Sequence, residues 1–214
     1  MILHTDHPNV RRVELASTDG FWSTVKADVH RVYGHSSVAK VVAGFLRVRT
    51  LRPVLTMRAC QAAGQLRGPL RLPALAAARA AHRVACQLAG VDLPWRTKVG
   101  PGFLIAHGWG VVISHRTVIG RNCTLMHGVT LGRRDRIGSD GDRQTAFPVV
   151  GDDVFVGPNA VVVGGVTVGD GARVAGGSVV VHDVPPRAIV GPPPAVVLRL
   201  DAPPDVVNRV NYAA

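Results

Sequence analysis

The chain has 214 residues, with 25 Lys and Arg against 14 Asp and Glu, a net charge of +11 and 24 glycines. That length carries one or two domains with a real core. The N-terminus lacks the charged start and apolar run of a leader, and no uncharged stretch approaches the roughly 20 residues that span a bilayer, so no membrane association is expected. Cys60, Cys86 and Cys123 have no metal-ligand spacing and read as reduced, buried thiols of a cytoplasmic protein.

The charge is uneven. Residues 1–90 hold 13 Lys and Arg against 4 Asp and Glu, a balance of +9. A basic half can meet nucleic acid, an anionic membrane surface or an anionic cofactor. Here the arginines interrupt apolar helical patterns, as in Phe45-Leu46-Arg47-Val48-Arg49-Thr50-Leu51-Arg52. They read as the wet face of a helical domain, and no nucleic-acid motif accompanies them.

In chain order, apolar spacing predicts helices over residues 20–33 and 37–50. Ser17, Thr18 or Asp19 would cap the first, and Gly34 would close it. A third helix is predicted over 54–66. The Ala-rich stretch from Leu75 to Leu88 predicts a fourth that stops at Gly90. Residues 1–90 therefore form an α-helical N-terminal domain.

Past Gly90 the pattern changes to a six-residue beat. Aliphatic residues fall at Val99 and Ile105, then at Ile113, Ile119, Leu125 and Leu131, then at Val150, Val156, Val162, Val168, Val174 and Val180. Fixed-period self-similarity marks a solenoid, and a period of six does not fit the 3.6-residue stripe of an amphipathic helix. It fits a three-sided parallel β-helix in which each hexapeptide gives one short strand and a corner. The predicted β-helix covers 91–198. Residues 132–149 break the beat and should loop out, as segments that carry function often do. The stretch from Asp183 holds many prolines, including Pro192-Pro193-Pro194, and should end strand pairing and cap the open edge, with residues 199–214 as a C-terminal tail.

Register places chemistry on one face. The step from Ile105 to Ile113 is two residues too long, so a bulge must lie at Gly108-Trp109-Gly110. His107 and His127 each follow an inward residue by two places and should stack on adjacent rungs, roughly 4.8 Å apart. They can be surface histidines, or part of a site if a neighbouring subunit covers the face. Gly108 and Gly110 would let a substrate or cofactor approach closely.

At these residues the sequence resembles the serine O-acetyltransferases of the left-handed β-helix, hexapeptide-repeat acyltransferase superfamily. The resemblance runs through Val91-Asp92-Leu93, Gly102-Phe103-Leu104-Ile105-Ala106-His107, Gly110-Val111-Val112-Ile113, Gly128-Val129-Thr130-Leu131-Gly132, Gly141-Asp142-Arg143, Ala175-Gly176-Gly177-Ser178-Val179-Val180 and Asp183-Val184-Pro185-Pro186. It implies an α+β fold, a helical domain followed by a left-handed parallel β-helix, and acetyl-CoA as co-substrate with no metal. It also implies a homotrimer, in some members a dimer of trimers. His107 matches the general base and Asp92 the carboxylate that orients it. Arg143 matches the arginine that grips the acceptor carboxylate. Gly132, Ala160 and Gly177 match positions whose backbone lies along the pantetheine arm.

The departures concern the acceptor. Serine-specific members place Asp before the catalytic histidine and His after the Asp-Arg pair; this chain has Ala106 and Gln144. His127 stands where Gln is expected. Losing an anionic contact to an ammonium costs about 1–3 kcal/mol. The terminus Asn211-Tyr212-Ala213-Ala214 lacks the final Ile that docks the sulfhydrylase partner, so that complex is not expected. The expected function is O-acetyl transfer to serine or a related small acceptor, with a sugar, exopolysaccharide or specialised-metabolite hydroxyl as the alternative. A trimeric zinc enzyme like the γ-type carbonic anhydrases would need three converging histidines. His107, His115, His127 and His182 are available, but none follows His127 closely enough to complete that pattern.

Overall fold

The computed structural model describes residues 20–194. The expected caps Ser17, Thr18 and Asp19, the segment 199–214 and the terminus Asn211–Ala214 lie outside these residues.

Four helices come first. α1 (Phe21–Tyr33) is closed by Gly34 in the left-handed conformation, whose N–H returns to the His30 carbonyl. α2 (Val38–Arg47) begins where the Ser37 hydroxyl accepts the Lys40 N–H. It ends short of the predicted residue 50, because Val48–Thr50 form an elbow into α3 (Leu51–Gln65). α3 starts three residues before the predicted 54 and carries Pro53 in its first turn, where a missing N–H breaks no helical bond. α4 (Arg71–Ala89) is longer than predicted and closes at left-handed Gly90.

The strands then rotate over three sheets. The first coil is β1 (Val91–Asp92), β2 (Lys98–Val99) and β3 (Leu104–Ile105). The second is β4 (Val111–Ile113), β5 (Val118–Ile119) and β6 (Thr124–Leu125). The third opens with β7 (Thr130–Gly132) and leaves the stack as the antiparallel hairpin β8 (Arg134–Ile137) and β9 (Arg143–Ala146). It resumes with β10 (Val149–Val150) and β11 (Phe155–Val156). The fourth is β12 (Val161–Val163), β13 (Thr167–Val168) and β14 (Arg173–Val174); β15 (Val179–Val180) and β16 (Ile189–Val190) end the stack. All pairings between coils are parallel.

The beat is the core. Val99, Ile119, Val150 and Val168 form one inward column, and Ile105, Leu125, Val156 and Val174 the second. Ile113, Leu131, Val162 and Val180 form the third. Every one is buried, each worth about 1.5–3 kcal/mol of transfer free energy. Between them lies a second inward set two residues earlier, including Phe103, Cys123, Val129, Val154, Ala160, Val166 and Ala172. These types are too mixed in size to stand out as a repeat.

Arginines fasten the helices to the coil, which corrects the reading of a wet face. Arg58 of α3 donates to Asp28 of α1 at 2.9 Å and to the carbonyls of Val99 and Gly100, both at 2.7 Å. Asp28 in turn accepts the Phe103 N–H at 2.9 Å, with both side chains buried. Arg31 reaches the Asn122 carbonyl at 2.6 Å and the Thr124 hydroxyl at 2.7 Å. Arg52 turns back to the carbonyls of Phe45 and Leu46 at the end of α2. Part of the positive charge of residues 1–90 thus neutralises carbonyl dipoles that the elbow and corners leave exposed.

Candidate active site

The site lies at the corner that joins β3 to β4, where the beat breaks. The predicted bulge is present: His107, Gly108 and Gly110 have φ of 63°, 50° and 70°. A left-handed backbone is uncommon for histidine and costs on the order of 1–3 kcal/mol. The Gly110 N–H bonds the Gly90 carbonyl at 2.8 Å, tying the bulge to the end of α4. A β-carbon on Gly108 would come within 2.4 Å of the Thr50 methyl, so the helical elbow presses directly on the turn.

His107 is exposed and His127 half-buried, and their partners Ile105 and Leu125 are in register. The two imidazoles meet edge to face, with centroids 6.2 Å apart and planes at 77°. Adjacent rungs are confirmed; the expected flat stack is not, because the left-handed backbone of His107 tilts its ring. His127 Nδ1 is buried and has no hydrogen-bond partner. Ala106 is half-buried beside the pair.

Asp92 does not complete a dyad in this structure. It is exposed in β1, beside Val112 of β4, and no hydrogen bond or ion pair reaches it among the described residues. Its strand lines a groove of about 510 Å³ between α4 and the first sheet, bordered by His82, Arg83, Gln87, Gly110 and Val112. Catalytic hydrogen bonds of this kind often close only when substrate is bound.

The remaining predicted residues divide between two corners. Gly177, left-handed and open, sits above the histidines on the same corner, with its N–H on the Pro158 carbonyl at 2.8 Å. Ala160 is there too, but its side chain points into the core and its N–H is bound to the Gly157 carbonyl at 3.3 Å. Gly132 ends β7 on the opposite edge of the same sheet, and Arg143 lies beyond it on the hairpin. There Arg143 donates to Asp135 at 2.8 Å, beside Thr145, whose hydroxyl also bonds Asp135 at 2.8 Å. The Thr145 hydroxyl and then Arg143 hold the Asp135 carboxyl below the usual carboxylate range. Under the hairpin runs a groove of about 390 Å³ bordered by Arg134, Arg136, Gln144, Gly164 and His182.

Sequence reasoning missed Arg49 and Trp109. The guanidinium of Arg49 lies 3.9 Å from the centre of the Trp109 ring and donates to the His107 carbonyl at 2.6 Å. The long step from Ile105 to Ile113 flagged the turn, but no local signal names a partner 58 residues away. The thiols are inert: burial pushes Cys123 up to about 12 and half-buried Cys86 up to about 11. Among the described residues no three His, Cys, Asp or Glu gather as a metal site; His115 packs against Phe147 instead.

A helical domain feeding a three-sided coil of hexapeptides is the architecture of the hexapeptide-repeat proteins. The family described as bacterial transferase hexapeptide (six repeats) matches residues 147–182. A serine acetyltransferase from Bacillus licheniformis is 40% identical over 123 residues, 57% of this chain and 55% of the relative. One from Mycobacterium tuberculosis is 38% identical over 126 residues, 59% of this chain and 53% of the relative. The soybean serine acetyltransferase apoenzyme superimposes with a TM-score of 0.62 at 31% identity, covering 82% of this chain and 68% of that one. The chain belongs to the serine acetyltransferase family of left-handed β-helix proteins. It spans about half the length of the curated relatives it matches.

Proposed function

We propose that the protein is an acetyl-CoA-dependent O-acetyltransferase whose acceptor is serine or a related small hydroxyl compound. The observation that carries this reading is His107: exposed, held in a strained backbone at the broken corner, and set beside His127 of the next coil. Imidazole is the side chain best suited to accept and return a proton near neutral pH. His107 takes the proton of the acceptor hydroxyl as that oxygen attacks the thioester carbonyl. The C–S bond breaks, and the same imidazole returns the proton to the departing thiolate. Products are the acetyl ester and free coenzyme A thiol. Asp92 turns toward His107 in the loaded state and stabilises the imidazolium, as the acid does in a hydrolase triad. His127 borders the acceptor beside Ala106, and the backbone around Gly132, Ala160 and Gly177 follows the pantetheine arm.

The working assembly is a homotrimer. His107 and Arg143 lie at opposite edges of one sheet, so a single chain does not close a site around both. A neighbour's hairpin laid against the histidine corner brings them together. In that setting Arg143 leaves Asp135 for the acceptor carboxylate, for which its forked geometry is suited. No helix among the described residues is long and apolar enough to cross a membrane, and the enzyme is assigned to the cytoplasm.

A second reading is favoured by Ala106, Gln144 and the ion pair that occupies Arg143: the same chemistry on a sugar, exopolysaccharide or specialised-metabolite hydroxyl. Thiol release from acetyl-CoA, measured with L-serine, L-homoserine and a sugar panel, separates the two. Saturable turnover with serine supports the first. Turnover only with acceptors lacking a carboxylate supports the second, and silence with all of them overturns both.

A further inference from the structure

The histidine turn is braced from outside the coil. Apart from Arg187, third after Val184, the left-handed residues of the other corners are Gly, Asn or Asp: Gly102, Asn122, Gly128, Asp153, Asn159, Gly171 and Gly177 at the third place after the inward residue and Gly164 at the second. Those types tolerate that conformation. At the broken corner Gly108 fills the third place, and His107, at the second, is left-handed in addition. Such a residue persists only where its surroundings over-determine it.

Arg49 supplies that constraint. It stands in the elbow between α2 and α3, half-buried, and makes three contacts at once. One Nη donates to the His107 carbonyl at 2.6 Å, the other donates to the Ala89 carbonyl at the end of α4, and the guanidinium plane rests on Trp109. The Trp109 N–H meets the same His107 carbonyl at 2.9 Å. Relaxing the positive φ of His107, which would swing its imidazole off His127, moves the carbonyl that follows it and breaks both bonds to that carbonyl.

We propose that Arg49 is a positioning residue for the acetyl-transfer reaction. It anchors the His107 carbonyl and so holds in its left-handed conformation the backbone that carries the imidazole, which makes the helical domain part of the catalytic apparatus. This rests on the reading of His107 as general base. Misplacement of a catalytic group by about 1 Å costs on the order of 100-fold in rate.

The test uses the full chain and acetyl-CoA with whichever acceptor turns over. Arg49→Met is expected to lower kcat by about 10- to 100-fold, with KM for acetyl-CoA within about twofold, and Arg49→Lys to restore part of it. Arg31→Met, which removes a comparable helix-to-coil contact away from the turn, is expected to lower the melting temperature but not kcat. The imidazole NMR signals of His107 should move in Arg49→Met and stay in Arg31→Met. If Arg49→Met loses no more kcat than Arg31→Met while His107→Ala is inactive, the positioning role is overturned. Full turnover in His107→Ala instead overturns the base assignment itself, a different result.

Discussion

The regular corners and the broken one are built on opposite logics. At Asn122, Asp153 and Asn159 a local residue type meets a local backbone need, and neighbouring coils only repeat the solution. At His107 the local residue is wrong for its backbone, and helices far away in sequence hold it there. Repetition gives stability; exception, held by long-range contacts, gives the exposed histidine proposed as the base. The same division runs through the arginines of the helices: Arg31, Arg49, Arg52 and Arg58 bind carbonyls at the elbow and corners, while Arg47, Arg67, Arg71, Arg79 and Arg83 face solvent.

The comparison can be broken first at the inter-domain clasp. Arg58→Met leaves the Asp28 carboxylate buried and unpaired and is expected to cost about 3–5 kcal/mol in denaturant unfolding. A loss below 1 kcal/mol would mean that the helices are not fastened as described. Next comes the turn itself. His107→Gly suits the left-handed backbone, so turnover should fall at least about 100-fold while the melting temperature holds or rises. Ala106→Asp restores a carboxylate beside the site and should tighten an amino-acid acceptor by about 1–3 kcal/mol, read as a lower KM. No change in KM for serine would place the ammonium elsewhere.

Acid provides a finer probe. Burial lowers the His82 pKa below its ordinary 6.5, with its Nε2 on the Leu93 carbonyl at 2.7 Å and Nδ1 near the Thr56 hydroxyl at 2.9 Å. The unfolded chain takes up that proton first, so the contribution of His82 is full above pH 6.5 and is lost as pH falls toward the folded value. Melting temperature should therefore drop between pH 7 and 5, and His82→Gln should flatten that drop. The smallest effect belongs to Cys123→Ala. Burial raises that thiol to about 12, so alkylation is slow, and turnover should not change.

Much of the architecture was legible because it repeats. The aliphatic beat gave three inward columns and the exit of the hairpin, and Gly34 and Gly90 marked two helix ends. The α2–α3 elbow was not legible, since Val48-Arg49-Thr50 continues a helical pattern and only packing against the 107–110 turn bends it. His107 and His127 could be placed side by side from register. The tilt between them could not, because it depends on a backbone sign that histidine rarely adopts. Asp92 and Arg143 were placed by resemblance; among the described residues Asp92 has no hydrogen-bond partner, and Arg143 is engaged with Asp135 of its own hairpin.

The hairpin between Gly132 and Val149 has a further consequence. The ladder closes across its base without it: Val118 pairs with Val149 and Thr130 with Val161 as though the excursion were not there. Its own hydrogen bonds, from Arg134–Ala146 to Ile137–Arg143, are internal. It is therefore an interchangeable cartridge. Length and composition can change there while the column of valines beneath stays fixed.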